Sequence, residues 1–185
     1  MVTPPIEDAE SRMFKTVESL KREMNAIRTG RASPALVEGL IIDYYGASTP
    51  LNQLATISVP EPRLLVLQPW DRQAVSAIER AVLKSGLGLN PATDGTVIRL
   101  PIPQPTEERR RDLVKVAKKH AEGARISIRN IRRDVLEKLR TMERSKELSQ
   151  DDNHRLQDQL QKVTDVSISR IDTLIQAKEA EVMEV

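Results

Sequence analysis

Met13, Val17, Leu20, Met24 and Ile27 recur at steps of 4, 3, 4 and 3 residues, with charged residues between them. That is a narrow apolar seam with a heptad repeat, and it predicts a long helix that needs partners. The helix is expected over about Ile6–Thr29. Pro4 and Pro5 bar it from extending backwards, and Gly30, tolerant of left-handed geometry, ends it.

Beyond Gly30 the period shortens. Leu40–Tyr45 is short, apolar and rich in β-formers, and Leu54–Val59 and Arg63–Gln68 read as two strands around a Pro60–Pro62 turn. Asp71 is placed to cap a helix running to about Lys84, with Val75, Ile78, Val82 and Leu83 on its buried side. Gly86 and Gly88 close that helix, and Thr96–Leu100 is a further strand.

Pro101, Pro103 and Pro105 form a stiff exit, after which Thr106 caps a third helix whose Glu107 and Glu108 suit its positive N-terminal end. It is expected to reach about Ser145, with Leu113, Ala117, Ala124, Ile128, Ile131, Val135 and Met142 inward. Ser149 and Asp152 make a capping-box-like start for a last helix with a seam of Leu156, Leu160, Val163, Ile171 and Leu174. One helix before the insert and two after it share one period, and none is stable alone.

The economical reading is an α+β protein: a long three-helix bundle with a small α/β domain inserted between its first and second helices. Residues 1–30 and 105–185 form the bundle and 31–104 the insert. Two short crossings join them as a hinge made of Gly30, Ala32, Ser33, Pro34, Pro101, Pro103, Gln104 and Pro105.

Composition narrows the chemistry. With four aromatic side chains in 185 residues the core is aliphatic, and with no cysteine there is no disulfide, thiolate catalysis or Cys-bound zinc. MVTPPIEDAESR is acidic and has no apolar run, unlike a secretory or transit segment, and no stretch approaches the ~18 apolar residues of a membrane span. These features favour a cytoplasmic location.

Net charge is only +2, but its distribution is uneven. Between Arg109 and Arg133 there are ten Lys or Arg against Asp112 and Glu122 alone, so this window carries +8 and the rest of the chain −6. Within ARISIRNIRRD (124–134) the cations are all arginine. On a wheel advancing ~100° per residue from Arg111, Lys115, Lys118, Arg125, Arg129, Arg132 and Arg133 fall within about 60° of zero, while the apolar set centres near ~240°. The basic stripe therefore runs beside the core. Arginine offers a planar fork that binds phosphate bidentately. RNA, gripped through backbone and shape, is the natural counterpart, and scarce aromatics argue against base stacking as the main mode. The competing reading is a solvated helix face.

Other chemistry is thin. His120 and His154 lie far apart without metal-ligand spacing, and SGLGLNP (85–91) lacks the form of a phosphate-binding loop. Two further classes stay open: a coiled-coil adaptor, which an exposed apolar groove would favour, and an enzyme with a site in the insert, which a deep pocket with clustered acids or a histidine would favour.

Four segments, IRTGRASPALVEG (27–39), DYYGASTPLNQLA (43–55), GLGLNPATDGTVIRLPIPQPTEERRRDLVK (86–115) and ARISIRNIRRD (124–134), together resemble the bacterial ribosome recycling factor family. The resemblance implies an L-shaped molecule of roughly tRNA-like dimensions that acts as a monomer without a cofactor. It implies binding to large-subunit rRNA after peptide release and, with GTP-bound elongation factor G, splitting of the ribosome into subunits. It implies no catalysis, membrane or small-molecule substrate of its own. Carried onto this chain, the rRNA surface comprises Arg129, Arg132 and Arg133, with Arg125 and Arg110 on the same helix and Arg28 and Arg31 around Gly30. For Arg28 and Arg31 an intramolecular bracing role stands as the alternative.

Overall fold

The computed structural model describes residues 4–184, which divide into two compact units. One consists of the residues up to Thr29 together with those from Glu107 onward; the other is Gly30–Thr106. Helices of the first unit are α1 (Pro4–Ala26), α3 (Glu107–Arg144) and α4 (Gln150–Met183). The second holds β1 (Ile41–Tyr44), β2 (Ala47–Pro50), β3 (Ala55–Glu61), β4 (Leu64–Pro69), α2 (Val75–Lys84), β5 (Ala92–Asp94) and β6 (Val97–Pro101).

The bundle core follows the heptad seams. From α1 come Ile6, Ala9, Met13, Val17, Leu20 and Met24, from α3 Ala117 through Leu139, and from α4 Leu156, Leu160, Ile171 and Ile175. Leu139 is fully buried. Truncating it to Ala would cost about 2–5 kcal/mol. Thr164 and Ser167 also face inward, and each hydroxyl donates to its own helix, to Leu160 O at 2.8 Å and Val163 O at 3.0 Å. This back-bonding satisfies the hydroxyls locally, so polar side chains fill the stretch of seam between Leu160 and Ile171 without an orphaned group.

The ends of α1 differ from expectation. Pro4 and Pro5 lie inside its opening turn, with Pro5 buried. The first four helical N–H groups have no acceptor anyway, so proline costs nothing there. At the far end the helix stops at Ala26, three residues earlier than the pattern predicts, and Ile27 N donates to Met24 O in a tighter turn. Between α3 and α4 the chain closes with Lys146 at φ 62°, Glu147 N donating to Met142 O and Lys146 N to Glu143 O, a Schellman arrangement without glycine. Ser149 caps α4, its Oγ accepting from Asp152 N at 3.1 Å.

In the insert, β3-β4-β6-β5 form an antiparallel sheet and β1-β2 a separate hairpin. Leu65 pairs with Leu100 and Leu67 with Ile98, and all four point to one face, where they meet Ile78 and Val82 of α2. Asp71 caps a short 3₁₀ turn before α2, its Oδ1 accepting from Gln73 N at 2.9 Å. The sequence pattern missed β2 and β5. ASTP has little β-propensity and ends in proline, and β5 is three exposed residues, so each is ordered by its partner strand.

The crossing segments are tied into the insert. Ala32 N donates to Pro62 O and Ile102 N to Arg63 O, each at 2.8 Å, so both are stapled to the β3–β4 turn. Ser33 is extended and Pro34 opens a 3₁₀ turn to Leu36. Pro101 ends β6, with Pro103 and Gln104 exposed beyond it. Gly30 sits at φ 80°, and a Cβ there would come within 2.7 Å of Pro105 Cδ. Glycine is required at position 30 on both counts.

Tyr44 Oη donates to Asp71 Oδ2 at 2.6 Å and so clips the β1–β2 hairpin to the cap before α2. That bond, then burial and the carboxylate's charge, pushes the Tyr44 phenol up to about 12, while the same bond and that from Gln73 N hold Asp71 below its ordinary value. The clip's contribution is full from above the ordinary carboxylate range to pH 10. It is lost as pH rises from 10 to about 12 and again as pH falls through the lowered Asp71 value. Chemical denaturation of the insert across pH should show both limbs in the wild type, and Tyr44→Phe should remove the alkaline one.

Candidate nucleic-acid interface

α3 is 38 residues long, about 57 Å at 1.5 Å per residue. Most of its apolar positions turn into the bundle, with Val116 and Ile126 left exposed, and a cationic flank runs outside. The flank is less one-signed than its composition implies. Arg111 pairs with Glu107, Lys115 with Asp112 at 3.4 Å and Lys118 with Glu179 of α4 at 3.2 Å.

Arg125 is the most engaged member. Its guanidinium donates to Asp172 Oδ1 of α4 at 2.6 Å and to Glu122 at 3.3 Å, and its side chain is 26% exposed. The bond to Asp172, opposed by burial and helped by Glu122, raises its already high pKa. Arg125 thus joins α3 to α4. Arg129 also reaches Glu122, at 3.2 Å, but is 62% exposed. Such an open pair contributes only ~0–1 kcal/mol and yields readily to a phosphate.

Arg132 and Arg133 are placed differently. Arg133 donates to the neutral Asn130 amide at 2.6 Å, and Arg132, half-buried, makes no hydrogen bond or ion pair among the described residues. The carboxylate next in sequence, Asp134, is occupied by Arg12 of α1 at 3.0 Å. That bond, against desolvation and with help from Asp8, raises the Arg12 pKa. Positive charge without an acid partner among the described residues therefore concentrates at Arg132 and Arg133, with Arg129 one turn back held only by its open pair to Glu122.

The remaining residues are more scattered. Arg110 is half-buried, at the angular phase of the core residues. Arg28 is exposed just past α1 and makes no hydrogen bond or ion pair among the described residues, whereas Arg31, in the other unit, is half-buried. Sequence reasoning did not find the acids that select among these cations, Glu122, Asp172 and Asp134. The signal for Glu122 was present in its i+3 and i+7 spacing to Arg125 and Arg129. The partners across helices, Asp172 and Arg12, required the packed bundle.

Nothing favours a catalytic centre among the described residues. His120 Nδ1 lies 2.7 Å from Glu23 Oε2 across the α1–α3 groove, and no three His, Cys, Asp or Glu gather to hold a metal. A cleft of about 610 Å³ in the insert is lined by Ile41, Asp43, Tyr45, Arg80 and Lys84, with one carboxylate and no histidine. Among the described residues no helix is long and apolar enough to cross a membrane.

Comparison with known proteins gives concordant results. The family described as Ribosome recycling factor matches residues 20–183. The curated "Ribosome-recycling factor" of Syntrophomonas wolfei subsp. wolfei is 54% identical over 185 residues, the whole of both chains. A "solution structure of the ribosome recycling factor" is 46% identical with a TM-score of 0.72, covering 98% of this chain and 96% of that one. Another solved structure is 45% identical with a TM-score of 0.61 and covers 97% of each chain. It is described as models for the T. thermophilus ribosome recycling factor and the E. coli elongation factor G bound to the E. coli post-termination complex.

The pairing pattern separates structural from available arginines. Arg125→Ala should lower bundle stability by about 1–2 kcal/mol, the range for a hydrogen bond to a charged group in a partly exposed setting. Arg132→Ala should leave it within ~0.5 kcal/mol. Urea denaturation followed by helical circular dichroism reads both.

Proposed function

The chain belongs to the ribosome recycling factor family and functions in ribosome recycling, and on that premise we propose that the α3 flank is its anchor on large-subunit rRNA. The observation that carries this reading is the cluster of Arg129, Arg132 and Arg133, whose neighbouring acid Asp134 is taken by Arg12. Three forked cations on one turn of a helix braced by two others form a rigid comb for phosphates. Arg28, exposed beyond α1, extends the surface, and Arg31, in the other unit, is a separate rRNA contact. Arg125 and Arg110 act chiefly by bracing the bundle.

The partner GTPase is elongation factor G, as in the similar complex described above. The GTPase hydrolyses GTP, and this chain contributes binding and mechanical rigidity but no catalytic group. In this scheme the bundle holds the rRNA of the post-termination ribosome while the crossings around Gly30 and Pro105 allow the insert to turn. The subunits then part in the cytoplasm, releasing mRNA and deacylated tRNA. The factor acts as a monomer.

Binding to isolated large subunits tests the anchor. If five or six phosphates are neutralised, affinity should fall by about two to three orders of magnitude from ~50 to ~200 mM salt. Arg132→Ala should weaken binding by about 1.5–3 kcal/mol with the fold intact. Salt-independent binding would remove the arginine anchor. The reading as a whole is tested by light scattering of post-termination ribosomes mixed with the protein, elongation factor G and GTP. Scattering should drop as subunits separate, and only when all components are present.

A further inference from the structure

Lys178 occupies a seam position of α4, three residues after Ile175 and four before Val182, and is buried to 7% exposure. Its Nζ lies 2.8 Å from Glu181 Oε2. The other oxygen, Glu181 Oε1, accepts a 2.7 Å hydrogen bond from Thr29 Oγ1, and Thr29 is itself only 4% exposed. Such a network is a costly way to fill a helix end, because buried ionic groups add little net stability compared with apolar packing. It does something apolar packing does not do: it fixes one non-helical residue, Thr29, three positions beyond the end of α1, to the last turns of α4.

The next residue is fixed from the other side. Gly30 packs under Pro105, and Ala32 is bonded to Pro62, all within the insert. The chain therefore leaves one ordered unit and enters the other across a single peptide unit.

We propose that Thr29, Glu181 and Lys178 are positioning residues for recycling, confining backbone rotation on the first crossing to the Thr29–Gly30 junction. Without them, residues 27–29 would become a slack tether. A turn of the insert would then be absorbed in the linker instead of reaching the bundle. This rests on the recycling function and on the α3 anchor proposed above. It assigns a role to three side chains outside that anchor.

The test uses the cysteine-free full chain. Spin labels at Lys138→Cys and Thr93→Cys, both exposed, report the spread of distances between the units. Thr29→Val keeps the β-branch and removes the hydroxyl, whereas Thr29→Ser keeps the hydroxyl. Thr29→Val should broaden the distance distribution and slow subunit splitting about tenfold, the factor carried by a lost hydrogen bond to a charged group. Its affinity for large subunits should fall far less than that of Arg132→Ala, because Arg129, Arg132 and Arg133 are untouched and only Arg28 lies in the loosened segment. Thr29→Ser should restore both width and rate. An unchanged distribution in Thr29→Val, a broad one with unchanged splitting, or equal broadening in Thr29→Ser would each overturn the proposal. If the wild type itself neither binds nor splits ribosomes, the recycling reading fails, while the distance widths still decide whether the network restrains the junction.

Discussion

Everything in the larger unit depends on one apolar seam that no single helix can bury. α1, α3 and α4 each carry a stripe at heptad spacing, and each needs the other two to remove it from water. Arg12 with Asp134 and Glu23 with His120 tie α1 to α3, and Arg125 with Asp172 ties α3 to α4. The same constraint sets the outer surface. Because α3 must turn Ala117, Ala121, Ala124, Ile128 and Ile131 inward, its arginines are driven onto a flank, where the packed helix holds them at fixed spacing.

That flank is a product of selection among charges as well as of exposure. Arg125 and Arg129 share Glu122, Arg125 is drawn to Asp172, and Asp134 is drawn to Arg12. The net effect leaves the turn at Arg132 and Arg133 electrically open. A helix on the far side of the α1–α3 groove thus shapes the field of a surface it does not belong to. Arg12 works there by occupying a carboxylate.

Periodicity made the long helices, their seams and the inserted α/β unit legible, because an apolar residue every three or four positions fits a one-sided helix and clashes with the two-residue period of a strand. The turn before α2 was equally readable from Asp71, and the start of α4 from Ser149. What stayed hidden lacked a local signal. β2 and β5 exist because β1 and β6 pair with them. Thr164, Ser167 and Lys178 are polar residues at buried positions that the apolar pattern does not mark, and intrahelical bonds, with Glu181 for Lys178, account for their polar atoms. For the site, sequence located the basic helix but could not rank its members, since the ranking depends on acids contributed by other helices.

The interruption of the bundle by the insert also bears on how the chain is made. α1 emerges early, yet the first α3 residue of the shared core, Ala117, follows its last helical residue, Ala26, by roughly ninety positions, which take about 5–18 s to synthesise. During that interval the insert, whose sequence is contiguous, can complete its own core, while Met13, Val17 and Leu20 have nothing to pack against. The nascent N-terminal segment is therefore an orphan amphipathic helix for several seconds in every round of synthesis, and its dense charge outside the seam keeps it dispersed until its partners arrive.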